Sequence, residues 1–417
     1  MAIPRCRIFD RTKPVTCHCV SRCVRRANLL APNERKEALR ERLAELSRFF
    51  AIDVLEWSLL SNHFHLVAST HPDLASLWSD EEVARRYRTL SPDYAWRRAN
   101  RVSLARPAQQ EEIDDALAKP ELIKRWREDL ADLSTFHKFL KQKLARVINL
   151  AEDVTGHCFE GRFKSIVALD EEAIIAHMVY VALNPVRASM ADSLESYEFC
   201  SIAPRVEELK RRIADGEFAG EAEAARRKLY EVALQPAIPC TPGERAKEIE
   251  TLPDGRTNPW FGGGRPSLLR GEAGRTLGAI GLASYLTRVD ASGRAKHRSK
   301  SGVISPSTPS PLKSIERILA PAHYAAHSKS PPEAVPESEW DSSWDSTHAM
   351  IEAVDLAMAD GSSNPRGHFS GSPESIARAA RDTGRRSITA IAGLMKNCRS
   401  RVSAEEDENA ERVARKP

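Results

Sequence analysis

No run of apolar residues approaches the roughly 18–20 needed to span a bilayer, and the opening MAIPRCRIFDRTKPVTCHC has neither an apolar core nor a small-residue cleavage site. These absences argue against a membrane-spanning chain and a secretory leader. The expectation is a soluble, intracellular protein. Charge of one sign is also scarce: 62 Lys and Arg stand against 58 Asp and Glu, a net +4. A chain so balanced does not hold nucleic acid by bulk charge, so any such role must come from local clusters. Gly262-Gly263-Gly264 lacks the G-K-[ST] that would complete a P-loop. There is no internal repeat and no arguable Ser-His-Asp arrangement. The eight cysteines (6, 17, 19, 23, 158, 200, 240 and 398) include no paired C-x2-C, and in a cytoplasmic chain they read as reduced thiols. Cys17, His18, Cys19 and Cys23 cluster without zinc-ribbon spacing, and a strand there sets the cysteines along one buried face.

What is present suffices for two or three domains: 417 residues, 41% of them hydrophobic. Residues 13–25 alternate and read as a first strand. Leu39, Leu43, Leu46 and Phe50 recur at helical spacing through 34–50. Residues 51–60 and 63–69 read as two antiparallel strands joined at Ser61-Asn62. Strand, helix, strand, strand implies an α+β domain with a mainly antiparallel sheet. Residues 72–130 are polar and largely helical, broken by Pro72, Pro92, Pro107 and Pro120. An apolar helical stripe runs from Leu133 to Ile148. A loop at 156–165 follows, then a helix from Asp170, a plausible N-cap, to Leu183, where Pro185 ends or kinks it. Beyond residue 205 comes a charged helical and then Pro/Gly-rich stretch. From 289 the chain is rich in Ser, Pro and Lys, with short basic helices, and reads as largely disordered.

Chemistry concentrates in three segments. His63 and His65 flank Phe64, and on a strand residues i and i+2 share a face, a start for a divalent-metal site. Tyr180 and Asn184 are one helical turn apart and address one spot. Gly161-Arg162-Phe163-Lys164-Ser165 is a short basic loop of the kind that holds phosphate. Residues 85–106 add seven arginines against the single acid Asp93, with Tyr87, Tyr94 and Trp96 interleaved. Arg85, Arg86, Arg97 and Arg98 are its candidate DNA contacts, and the rings could stack on bases.

Together these segments resemble the single-tyrosine transposases of the HUH class, especially the REP-associated tyrosine transposases. Ser61-Asn62-His63-Phe64-His65-Leu66-Val67 is similar to the HUH strand. Gly156-His157 followed by Phe159-Glu160-Gly161-Arg162-Phe163-Lys164-Ser165 is similar to the family's G-H-x-W-Q-G-R-F-K-S block. Tyr180-Val181-Ala182-Leu183-Asn184-Pro185-Val186-Arg187-Ala188 is similar to its Y-I-x-x-N-P-V-R-A block. A weaker echo of longer members follows in Ala283-Ser284-Tyr285-Leu286, Val289-Asp290 and Ser292-Gly293-Arg294. The resemblance covers about 13–203. Leu60-Ser61 stands where the family has Met-Pro, and Phe159-Glu160 replaces Trp-Gln.

The resemblance implies a ferredoxin-like or RRM-like HUH domain over 1–204 with a helical insertion at about 72–130. An accessory region at 205–288 and a low-complexity region at 289–417 would follow. It implies Tyr180 as nucleophile, with His63, His65 and Asn184 as ligands of Mg²⁺ or Mn²⁺. Arg162, Lys164 and Arg187 would contact DNA. It implies single-stranded, hairpin-containing DNA as partner, and a homodimer is among the family's assemblies. His177, one turn before Tyr180, is a candidate base. Two other readings stay open: a domesticated or inactive relative that only binds or processes DNA hairpins, and a metal-dependent hydrolase.

Overall fold

Alternation shapes the sheet. In β1 (Val15–Arg22), Cys17 and Cys19 point to one side, and His18, Val20 and Arg22 to the other. Helix α1 (Asn33–Ser47) lays Leu39, Leu43 and Leu46 against the cysteine side. Strands β2 (Ile52–Leu59) and β3 (His63–Thr70) form a hairpin, and β3 also pairs antiparallel with β1. This computed structural model describes residues 10–92, 106–218, 222–252, 255, 257–263, 281–295, 301–311, 369–370, 375 and 378.

After β3 come α2 (Pro72–Leu77), α3 (Asp80–Leu90), α4 (Gln110–Leu117) and α5 (Pro120–Asp129), which make up the helical insertion. The long α6 (Leu133–Ala151) follows, its first turn capped by Asp132, which accepts from the Thr135 amide at 2.9 Å. Strand β4 (Lys164–Ala168) leads into α7 (Glu171–Ala182) and the single turn α8 (Asn184–Arg187). Asp170 caps α7, accepting from the Ala173 amide at 3.0 Å. Pro185 breaks the path between α7 and α8, as its missing amide and ring require. Helices α9 (Ile202–Ala214), α10 (Ala222–Glu231), α11 (Glu244–Glu248) and α12 (Leu282–Arg294) complete the described helices, and Phe369–Ser370 forms β5.

The strand order is β2-β3-β1-β4-β5, antiparallel throughout β2-β3-β1-β4, with the two-residue β5 parallel to β4. The class is α+β, as the sequence implies. Cys17, Cys19, Phe64, Leu66 and Ala68 face α1 and α6 in one apolar core. Val20, Val67, Ile166 and Ala168 face α7, α9 and α12 in a second. The outer edge of β2 is covered, because Val54 bridges to Ile238 and Ser58 to Cys200.

Two features differ from the sequence reading. Lys164 and Ser165 open a strand, not the end of a loop: Lys164–Ala168 pair with Thr16–Val20. Described residues beyond 205 also join the cores rather than following them. Tyr285, Leu286 and Val289 of α12 are buried with α7, so a boundary drawn at 288/289 falls inside a helix. Ile304 is buried there too. Gly302 lies so close to α8 that a Cβ would meet the Val186 carbonyl at 1.7 Å, a contact only glycine permits. No helix among the described residues is long and apolar enough to cross a membrane.

Candidate functional site

The α7 side of the sheet gathers side chains in cross-strand rows, since directly opposed residues of antiparallel strands share a face. Arg22 lies opposite His63. Lys164, Val20 and His65 form the next row, and Ile166, His18 and Val67 the one after. Helix α7 crosses this face and brings Tyr180 to it: its ring centroid is 5.7 Å from that of His65 and 5.4 Å from that of His18. The His63 and His65 centroids are 4.9 Å apart. His63 is half-buried, whereas His65 (2% exposed) and Tyr180 (7%) are buried, as is Asn184 (5%) at the start of α8.

The histidines are linked. His65 Nδ1 is 2.9 Å from His18 Nε2, and His18 Nδ1 is 3.1 Å from His177 Nδ1. His63 Nδ1 is 2.6 Å from the Asn62 side-chain oxygen, which accepts from it. Asn62 is held in turn, its amide nitrogen donating to the Arg26 carbonyl at 3.1 Å. With both Nδ1 atoms engaged, Nε2 is the atom through which His63 and His65 would meet an ion. In that tautomer His65 Nδ1 donates to His18 Nε2, and His18 Nδ1 donates to His177 Nδ1. Burial pushes His177 down to about 3, so its imidazole is neutral at pH 7. A group that holds a proton so weakly is a poor acceptor for a phenol proton, and its Nδ1 faces His18.

The donor set fits a divalent cation. Imidazole nitrogens and an amide oxygen are donor types that a divalent cation takes, whereas the Asn184 amide nitrogen, buried with no hydrogen-bond partner among the described residues, is not. A second set of potential ligands, Asp53, His71 and Cys240, lies elsewhere, with donor atoms within 4.8 Å of one another.

The expected DNA contacts separate into three groups. Arg162 is exposed and lines a cleft of about 680 Å³ between α6 and the 156–163 loop, together with Lys138, Lys141 and Arg11. Lys164 is half-buried in the row of His65. Arg85 is exposed on α3 and pairs with Glu81 at 2.5 Å. Arg86 and Arg187 are interior instead. Arg86 binds Glu82 at 2.7 Å, donates to the carbonyls of Arg48, Phe49 and Thr241, and stacks on Trp78 at 3.9 Å. Arg187 donates to the carbonyls of Ser292 (2.6 Å), Ala295 (2.9 Å) and Gly302 (3.2 Å), fastening that segment over α8. Such placements turn both guanidiniums toward the protein and away from any phosphate. Arg97, Arg98, Tyr94 and Trp96 lie outside the described residues. Tyr87 stacks on Trp126, ring centroids 4.5 Å apart, within the insertion.

The sequence reading placed His18 only in the cysteine cluster and did not single out Arg22. Their signal was in the strand alternation: if the cysteines of β1 face the core, then His18 and Arg22 share the other face with His63 and His65.

No family model matches the chain, and no curated protein does. Among solved structures the chain is similar to one described as "Structure of the REP associates tyrosine transposase bound to a REP hairpin". The identity is 14%, over 50% of this chain and 87% of that one, with a TM-score of 0.28. A likeness at that TM-score carries no argument.

Proposed function

We propose that this protein cuts and rejoins single-stranded DNA, with Tyr180 as nucleophile and Mg²⁺ or Mn²⁺ held by His63, His65 and Asn184. The observation that carries the reading is the contact of the Tyr180 ring with His65 and His18, on the sheet face that also holds His63. His65 and Tyr180 stand 115 positions apart in the chain, yet their rings meet. A bound ion would polarise the scissile phosphate and offset the charge that builds on its oxygens.

The chain's own residues supply the rest. The Tyr180 oxygen attacks phosphorus, the bond to the 3′ oxygen breaks, and the leaving oxygen takes up a proton to become a 3′-OH. The 5′ phosphate stays on the tyrosine, and a later 3′-OH can reverse the step without ATP. A tyrosine with an ordinary pKa near 10 must lose its proton. Lys164 and Arg22, in the rows of His65 and His63, would hold the phosphates on either side. Arg162 and its cleft would take the strand further out, and binding should weaken with salt. Single-stranded DNA suits the site because its entrance is narrow: Tyr180 is only 7% exposed, and a flexible strand can bend to it.

The test is incubation with single-stranded hairpin DNA and Mn²⁺, followed by a denaturing gel. A covalent protein–DNA band is expected from the parent and none from Tyr180→Phe, which loses one oxygen and keeps its packing. An adduct on the Phe variant would rule out Tyr180. Free cleaved DNA with no adduct would favour a hydrolase.

A further inference from the structure

We propose that Asp53, His71 and Cys240 form a separate, structural site for a thiophilic divalent ion, zinc above all, which clamps the 236–263 segment onto the edge of the sheet. The three residues come from distant parts of the chain. Asp53 is on β2, and His71 follows β3 directly. Cys240 sits two residues past Ile238, whose backbone bridges to Val54 of β2. Their donor atoms lie within 4.8 Å of one another, and the residues are 6%, 2% and 3% exposed.

The local geometry already aims them together. Asp53 Oδ2 is 2.9 Å from His71 Nε2, and Asp53 Oδ1 accepts from the Cys240 amide at 2.7 Å. The carboxylate therefore anchors both partners. His71 Nδ1 is buried without a hydrogen-bond partner among the described residues, an unmet group in an otherwise closed site. The Trp260 ring stands against His71 at 5.6 Å and helps to exclude water.

Charge and softness select the ion. A carboxylate and a thiolate carry two negative charges, which a divalent cation neutralises in a place where an unbalanced charge is costly. Binding releases the thiol proton of Cys240 to solvent, and the hydrogen bond between His71 Nε2 and Asp53 gives way to the bonds to the ion, its proton passing to His71 Nδ1. Sulfur with nitrogen suits zinc and disfavours Mg²⁺, which prefers oxygen alone. Zinc–sulfur bonds of about 2.3 Å and zinc–nitrogen or –oxygen bonds of about 2.0–2.2 Å set tetrahedral ligand atoms roughly 3.3–3.7 Å apart, so the 2.9 Å Asp53–His71 contact opens slightly to admit the ion. A water would complete the tetrahedron. Arg86, which donates to the Thr241 carbonyl at 3.1 Å, is the nearby cation, and Glu82 at 2.7 Å offsets its charge.

The site is independent of the DNA chemistry and is read by a signal that chemistry lacks. The reduced, metal-free full chain is titrated with Co²⁺. The His63–His65–Asn184 set contains no sulfur, so a sulfur-to-cobalt charge-transfer band in the near ultraviolet reports only a cysteine ligand. The expected result is a band that saturates at one Co²⁺ per chain, is displaced by Zn²⁺ and disappears in Cys240→Ser. It should persist in Cys23→Ser and in His63→Ala. No band, or a band that survives Cys240→Ser, overturns the proposal. If Cys240→Ser does not fold, His71→Gln keeps the thiol and decides the matter. Co²⁺ affinity lowered by roughly tenfold or more supports the site, and unchanged affinity overturns it.

Discussion

On the α1–α6 side of the sheet, β1 and β3 present Cys17, Cys19, Phe64, Leu66 and Ala68, all fully buried. On the α7 side the same two strands present His18, His63, His65 and Arg22 among Val20 and Val67. The strands and backbone hydrogen bonds are shared, so the two faces differ only in side chains. One face stabilises by excluding water. The other holds imidazoles in its interior, a costly arrangement unless each finds partners, and it meets that cost by linking His65, His18 and His177 in a chain. A sheet face that bears this cost beside a buried tyrosine is where chemistry is to be sought.

Acid should break the polar face first, and taken over its whole pH window this is the largest expected effect. His177 is fully buried and its value is lowered to about 3, against about 6.5 when unfolded. The unfolded chain therefore binds the extra proton, and stability is complete above pH 6.5 and falls as pH drops toward 3. Over that whole window the loss is about 5 kcal/mol at 1.36 kcal/mol per unit, of which about 2 kcal/mol is reached by pH 5. Urea denaturation at pH 7 and pH 5 should show the drop for the parent and a smaller one for His177→Gln. Equal drops would mean that another group titrates.

The apolar face should respond to volume and not to acid. Phe64→Ala removes a fully buried ring packed near Phe159, centroids 6.0 Å apart, and should cost about 3–5 kcal/mol at any pH between 5 and 7. The variant's pH dependence should match the parent's. A Phe64→Ala cost that varied with pH would show that the two faces are coupled through β3.

The smallest expected effect sharpens the comparison at the start of α7. Asp170→Ala removes the side-chain acceptor of the Ala173 amide and should cost about 1 kcal/mol. Asp170→Asn, which keeps an acceptor, should recover most of it in the same denaturation experiment. Because α7 carries Tyr180, the Ala variant should also lower adduct yield more than Phe64→Ala does at equal fraction folded.

Local pattern settled much of this architecture before any tertiary contact was known. The alternation of β1, the 3.6-residue stripe of α1 and α6, the turn at Ser61-Asn62, the Asp170 cap and the Pro185 break all act within a few residues of themselves. So does the pairing of His63 with His65 on one side of β3. What only tertiary structure decided depends on partners far along the chain. Lys164–Ala168 is a short stretch whose strand character comes from β1, about 145 positions earlier. Arg86 and Arg187 look like their solvated counterparts in sequence, yet their acceptors include carbonyls at Thr241 and at Ser292–Gly302, and burial follows from those. His18 joined His65 and Tyr180 because β1 lies between β3 and β4 in the sheet, and Asp53, His71 and Cys240 met because the 236–263 segment returns to the edge of β2. Periodicity is a property of neighbours in the chain, whereas burial and convergence are properties of neighbours in space, which the strand order and the segments packed on the sheet bring together.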